Sequence, residues 1–369
     1  MLDPNRPHNA LPLLPPAADI ETRPILKQCA RAREALAGLK MAGLIIPDQS
    51  VLINVIPLLE AKASSAIENI VTTNDALFRD AGLNEADGNP AAKEAVRYRT
   101  ALYQGFKSME HRPLTTRTAV EVCQTIKGVE LDVRATPGTT LRNGFTGDVI
   151  YTPPEGQDHL RNLLGNWERF LNDPSDIDPV VRMAVQHYQF EAIHPFIDGN
   201  GRTGRVLNIL SLIQAGLLDM PTLHLSRQIL ATRSEYYRLL AAVTSQGDWE
   251  PWILYMVTAV ETTARWTNAK AGAIRSLMDA TAQRTRELSP KIPAHELMSL
   301  IFGQPYCRIE DVVSRGIARR QTASTYLKEL AALGILIEEK KGRELIFVHR
   351  KYLDLLGSDG HAFEPYPPA

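Results

Sequence analysis

Cysteine is scarce in this chain, and the three present, Cys29, Cys123 and Cys307, stand far apart. That spacing offers neither a zinc site nor a redox pair and suits a reducing, cytoplasmic setting. Net charge is almost absent: 41 basic residues against 42 acidic ones leave −1. No overall field therefore draws nucleic acid or an anionic membrane, and any such binding has to come from a local patch. Long apolar runs are missing as well. The most apolar stretch, Val206 to Leu218, is interrupted by Asn208, Ser211 and Gln214 and is too short to cross a bilayer. The first residues, Met1 to His8, lack the apolar core of a signal peptide. A soluble protein with no membrane partner is expected. The Walker phosphate-loop motif is absent too.

What is present is an ordinary globular composition, 44% hydrophobic and 22% charged over 369 residues, enough for two or three domains. The periodicity is mainly helical. Residues 1–20 are proline-rich and expected to lie extended over the surface. Ile25 to Leu39 reads as a helix, and two more are expected between Gln49 and Leu77 with a break near Pro57. Further helices are expected over 91–109 and Thr116–Lys127. Gly144 and Gly147 beside Val149-Ile150-Tyr151 predict a short hairpin. Asp178-Pro179 is a strong helix start, a capping carboxylate followed by proline in the first turn. The helix it opens ends at His194, where Pro195 stops it.

The densest chemistry lies in twelve residues, His194-Pro-Phe-Ile-Asp-Gly-Asn-Gly-Arg-Thr-Gly-Arg205. His194 is a candidate base near neutral pH. Asp198 is a hard oxygen ligand suited to Mg²⁺. Gly199-Asn200-Gly201 lets backbone approach a ligand closely and feeds a helix start, where free N–H groups and the dipole favour an anion. Arg202 and Arg205, three apart, can share a helical face and grip one phosphate chain. Phe196 reads as a hydrophobic plug for the loop, and His187 as a packed, hydrogen-bonded histidine. Together these point to phosphate chemistry on a nucleotide.

This loop matches the signature of Fic proteins at every fixed position, and the chain resembles that family from about residue 55 to 260. The flanks Ala184–Ile193 and Arg233–Arg238 carry the likeness further. The resemblance implies a mainly α fold with an N-terminal helical region (1–113) and a Fic catalytic core with a hairpin flap (114–264); residues 265–290, charged and short of large apolars, read as a connecting helix, and 291–369 as a C-terminal winged helix. It implies transfer of AMP from ATP to a Tyr, Thr or Ser hydroxyl of a protein, including the chain itself. His194 would be the base and Asp198 the Mg²⁺ ligand. Gly199, Asn200, Gly201, Arg202, Thr203, Gly204 and Arg205 would hold ATP, with Tyr236 and Tyr237 walling the adenine. The flap residues Thr140, Arg142, Val149 and Ile150 would hold the target by strand pairing.

The segment Ser64-Ser-Ala-Ile-Glu68-Asn69 resembles the family's inhibitory motif. It implies that Glu68 pairs with Arg205 and occupies the place of the γ-phosphate. In the tail, helix-turn-helix followed by two strands, Ile335–Glu339 and Glu344–Val348, is the outline of a winged helix. Arg319, Arg320, Gln321, Ser324 and Lys328, with Lys340, Lys341 and Arg343 on the wing, make a set that could contact DNA phosphates. Two rival readings stay open: removal of AMP with Glu68 placing the water, and a DNA-binding regulator whose core senses nucleotide. The donor (ATP, UTP or CDP-choline) and the oligomeric state, a homodimer among the options, also stay open.

Overall fold

The computed structural model describes residues 3–46, 48–83, 89–142, 146–341 and 344–367. The chain is mainly helical, as expected. Residues 3–22 hold no regular element, yet Leu11, Leu14 and Ile20 are buried. The Asn166 amide clamps Leu14 from both sides, accepting its N–H at 2.8 Å and donating to its carbonyl at 2.9 Å.

Five helices precede the flap: α1 (Arg23–Ile45), α2 (Ser50–Ile67), α3 (Asn74–Leu83), α4 (Pro90–Ser108) and α5 (Thr116–Lys127). Pro57 does not break α2, contrary to the expectation. Burial of the helix all round, Val55, Ile56, Leu58 and Leu59 included, outweighs the one backbone bond that proline removes. The turn comes at residues 68–73 instead. Among the described residues α2 is long and apolar enough to span a membrane, but 72% of it is buried within the chain.

The flap is β1 (Leu141–Arg142) paired antiparallel with β2 (Val149–Tyr151). Arg142 closes it by donating to the Gly147 carbonyl at 3.0 Å; Gly144 lies outside the described residues. Then follow α6 (Gln157–Leu171), α7 (Pro179–Ile193), α8 (Asn200–Gln214), α9 (Leu225–Ala231), α10 (Arg233–Gln246) and α11 (Trp249–Leu288). Asp178 caps α7 through the Val180 N–H at 2.8 Å. Helices α7 and α8 are buried on nearly every face, which makes them the central pair of the core. Helix α11 is unbroken for 40 residues: it runs through the expected 264/265 boundary and lies along α1.

The C-terminal unit is α12 (Ala294–Gly303), β3 (Tyr306–Arg308), α13 (Ile309–Ser314), α14 (Arg320–Ala332), β4 (Ile337–Lys341), β5 (Glu344–Val348) and α15 (Arg350–Gly357). Its sheet has the order β3-β5-β4, antiparallel throughout. That is the helix-turn-helix and hairpin expected, with β3 added as an edge strand and β4 starting two residues later than read.

Helix α2 is fixed at two points that matter for the site. In its middle the buried Glu60 accepts the Ser226 N–H at 2.9 Å, the Ser226 hydroxyl, and the Tyr98 hydroxyl at 3.4 Å. Burial pushes its carboxyl up to about 7. At its end, Asn69 takes a left-handed conformation (φ 65°). The Asn69 and Ile70 N–H groups return to the Ala66 and Ser65 carbonyls, both at 3.0 Å. This is a Schellman stop, and it explains why asparagine follows the glutamate. The Asn69 side chain then accepts from Arg233 of α10 at 2.8 Å.

Replacing Glu60 by Ala strands three buried donors, so Glu60→Ala should lower stability by about 2–4 kcal/mol. Glu60→Gln, which keeps an acceptor, should cost less than half of that. Urea unfolding checks both; equal, small losses would show that this network does not hold α2.

Candidate functional site

The site forms where α7 ends and α8 begins. Val206, Leu207, Ile209, Leu210 and Leu212 of α8 are fully buried, each contributing about 1.5–3 kcal/mol. The first turn of α8 is thereby held rigidly while its end stays open. Gly199 precedes it at φ 85°, and no side chain caps it. The backbone N–H groups of that first turn have no carbonyl partner within the helix. Asn200 ties the loop rather than facing a ligand: its amide accepts the Phe196 N–H and donates to the Phe196 carbonyl, both at 2.8 Å. Phe196 is buried as the expected plug.

His194 terminates α7 in a left-handed conformation (φ 50°), which turns its side chain away from the helix path. A residue that sequence reasoning missed, the buried Arg134, fixes this corner. Its Nε donates to the His194 carbonyl at 2.8 Å, and its Nη2 to the Ile193 carbonyl at 3.4 Å and to that of Pro154. Its own N–H reaches the Pro195 carbonyl at 2.9 Å. A cation on orphan carbonyls at a helix C-terminus is favourable. From the flap, the Tyr151 hydroxyl donates to the Ala192 carbonyl at 2.8 Å. Burial, then the Arg134 charge, lowers the His194 imidazole to about 4. The ring is therefore neutral at pH 7, the form that can take up a proton.

Arg202 and Arg205 converge on Glu68. Arg205 donates from Nη2 to Glu68 Oε1 at 2.8 Å and to the Ser64 carbonyl at 2.9 Å, and from Nε to the Ser64 hydroxyl at 2.8 Å. Arg202 Nε stands 2.6 Å from Glu68 Oε2, a charge contact off-line for a hydrogen bond. Both guanidiniums are 2% exposed. The expected Glu68–Arg205 pair is thus present, and Arg202 joins it. A Cβ added to Gly201 would lie 2.6 Å from Glu68 Oε1. Glycine at 201 is what lets this carboxylate sit against the first turn of α8.

Asp198 flanks the nest with its side chain 58% exposed. It accepts from the Gly199 N–H at 2.6 Å and from Arg202 Nη2 at 3.0 Å, and it pairs with Lys127 of α5. Partial burial works to raise its carboxyl, but the Lys127 and Arg202 charges hold it below its usual range. Among the described residues no group of three His, Cys, Asp or Glu side chains is placed to hold a metal. One ionised, exposed carboxylate beside a phosphate-sized nest suits Mg²⁺ nonetheless, because that ion is usually bound by one or two carboxylates plus substrate phosphates and water.

Other expected members fall elsewhere. Thr203 and Gly204 are buried in α8, Thr203 toward Cys123 and Gly204 against Glu191. Tyr236 is no open wall: it is 1% exposed, with its hydroxyl 2.9 Å from His187 Nε2. Tyr237 is 42% exposed and packs edge-on against Tyr236, so of the two it is the one that can meet a ligand. Glu191, also missed, stands next to Arg205 with its carboxyl raised to about 7 by burial and Oε1 unpartnered. In the flap, Arg142 and Ile150 are exposed, and Thr140 and Val149 partly so. On α14, Arg319, Arg320, Gln321 and Lys328 face solvent, Ser324 less so. Arg320 pairs with Glu310 at 3.1 Å. Lys340 is exposed; Arg343 and the Lys341 side chain lie outside the described residues.

Three family models match the chain: Fic/DOC family N-terminal over residues 26–107, Fic/DOC family over 113–212, and the protein adenylyltransferase SoFic-like C-terminal domain over 277–352. Protein adenylyltransferase Fic of Drosophila erecta is 38% identical over 112 residues, which cover 30% of this chain and 21% of that protein. A Fic family protein from Desulfovibrio desulfuricans superposes with a TM-score of 0.56 at 19% identity, over 90% of this chain and 98% of that one. A Fic domain containing signaling protein from Bacteroides thetaiotaomicron gives 0.52 at 17%, over 66% and 97%. With two Fic/DOC models in tandem, a SoFic-like domain behind them and the His194–Arg205 loop built as that signature requires, the chain carries Fic/DOC family domains over residues 26–107 and 113–212 and a SoFic-like C-terminal domain over 277–352.

Proposed function

We propose that this chain is a protein adenylyltransferase held off by its own Glu68. The observation that carries the reading is the seat of that carboxylate: two buried guanidiniums hold it beside the uncapped first turn of α8, in a space kept open by Gly201. Such a nest suits phosphate at least as well as carboxylate. The relative from Drosophila is named a protein adenylyltransferase, which supports the reading over the matched 112 residues.

In this account ATP replaces Glu68. Arg202 and Arg205 take the β- and γ-phosphates, and the first-turn N–H groups of α8 face the oxygens on which charge develops. Asp198 would hold Mg²⁺, which supplies charge neutralisation on the phosphates. His194, neutral and fixed by Arg134, accepts the proton of the incoming hydroxyl as that oxygen bonds to the α-phosphorus and pyrophosphate leaves. The flap edge at Val149–Tyr151 can take a target segment by strand addition, and the C-terminal unit is left to select the partner.

Two outcomes test this. Glu68→Gly incubated with Mg²⁺ and ATP should gain one or more AMP groups by intact-mass spectrometry; wild type should gain far less, and Glu68→Gly/His194→Ala none. Wild type that removes AMP from a pre-modified substrate, in a reaction lost in Glu68→Gly, would reverse the proposed direction. The rate should also be flat between pH 6 and 8. It should fall only as His194 protonates, with half lost near pH 4 rather than near the ~6.5 of a solvated imidazole, in samples shown to be folded by circular dichroism. A midpoint near neutrality would put His194 in water and remove Arg134 from the account.

A further inference from the structure

Arg202 carries more negative partners than one anion site explains. Beyond Glu68 at Nε, its Nη2 meets Asp198 Oδ1 at 3.0 Å and its Nη1 meets Glu94 Oε1. Glu68 fills the nest and Asp198 stands on the cation side, but Glu94 has no part in the mechanism above. It stands on α4, 108 residues from Arg202 in sequence, with its side chain 13% exposed.

Each partner holds a different edge of the guanidinium. When Glu68 leaves, Nε opens toward the nest while Nη1 and Nη2 stay bound. Without Glu94 the Nη1 group would be free as well. It could then turn to the second oxygen of Asp198, in competition with Lys127, since a planar guanidinium pairs with a carboxylate in a two-bond fork. That collapse would aim Arg202 away from the phosphates and take Asp198 from the cation.

We propose that Glu94 is a positioning residue: it tethers Nη1 so that Arg202 offers its Nε edge to the anion and leaves Asp198 open. The proposal deepens the reading of the nest as a nucleotide-phosphate site and rests on it. Simple electrostatics predicts the opposite sign, because removing a carboxylate beside bound phosphates should tighten them. The direction of the effect therefore decides between a tether and mere charge.

The experiment uses the full chain in the Glu68→Gly background. Calorimetric titration with ATP at several Mg²⁺ concentrations compares the parent with Glu94→Gln and Glu94→Asp. Glu94→Gln should weaken ATP by roughly tenfold, as expected for a misaimed binding group, and raise the Mg²⁺ needed for half-maximal binding. Glu94→Asp should recover part of both, and AMP binding should not change. Unchanged or tighter ATP binding in Glu94→Gln overturns the tether. If the Glu68→Gly parent binds no ATP, the nucleotide reading is what fails, and thermal unfolding then judges the tether alone. Glu94→Gln and Arg202→Gln should lose less together than the sum of their separate losses; additive losses overturn the proposal.

Discussion

Two like charges buried side by side are unstable without an anion between them. Arg202 and Arg205 occupy the first two turns of one helix, each 2% exposed, near the end where the dipole adds to their field. Removing the partner of a buried charge costs about 3–5 kcal/mol. The space between them therefore favours an anion, and in this structure Glu68 is that anion. The surrounding architecture serves this constraint. Glu60 and the Schellman stop at Asn69 set the height and end of α2, Arg233 ties that end to α10, and the packed α7–α8 pair holds the arginines from behind.

Because Glu68 is tethered, it acts as an internal ligand of high effective concentration. An external anion has to displace it rather than merely arrive. Displacement need not unfold α2, whose buried face is independent of the glutamate: Glu68 is the residue just past the last turn, and its side chain is 23% exposed. In the proposed account the brake is thus a side-chain contact on a rigid support, and activation would trade one anion for another.

Much of this site was legible in the sequence because its chemistry is local. Asp198, the glycines and both arginines lie within twelve residues of His194, and the Asp178-Pro179 start fixes where α7 begins. The Glu68–Arg205 pair, 137 residues apart, was reached only through resemblance to a known family, and Arg202 as its second partner was not. Arg134, Glu94, Lys127 and Glu191 were not legible either. Each is an ordinary charged residue whose role comes from a distant segment folding against it. The fold shows the same divide. Helices with caps and breakers came out near their ends, whereas the break placed at Pro57 yielded to burial. The boundary at 264/265 was read from a change in composition, which a continuous helix does not register. Strand β3 is three residues long and owes its pairing to β5, and α6 likewise gave no sign that was recognised. Tyr236 looked like a pocket wall because an aromatic pair carries no mark of which ring faces inward.

The most direct test of the central claim compares ATP with AMP binding to wild type and Glu68→Gly by calorimetry. If Glu68 occupies the place of the outer phosphates, the substitution should strengthen ATP binding by at least roughly tenfold, one lost competing charge-assisted bond being worth about 1.5–3 kcal/mol. AMP, which lacks those phosphates, should bind both proteins alike. Equal ATP affinity in the two proteins would mean that the carboxylate between Arg202 and Arg205 is only structural, and that the nest serves no phosphate chain.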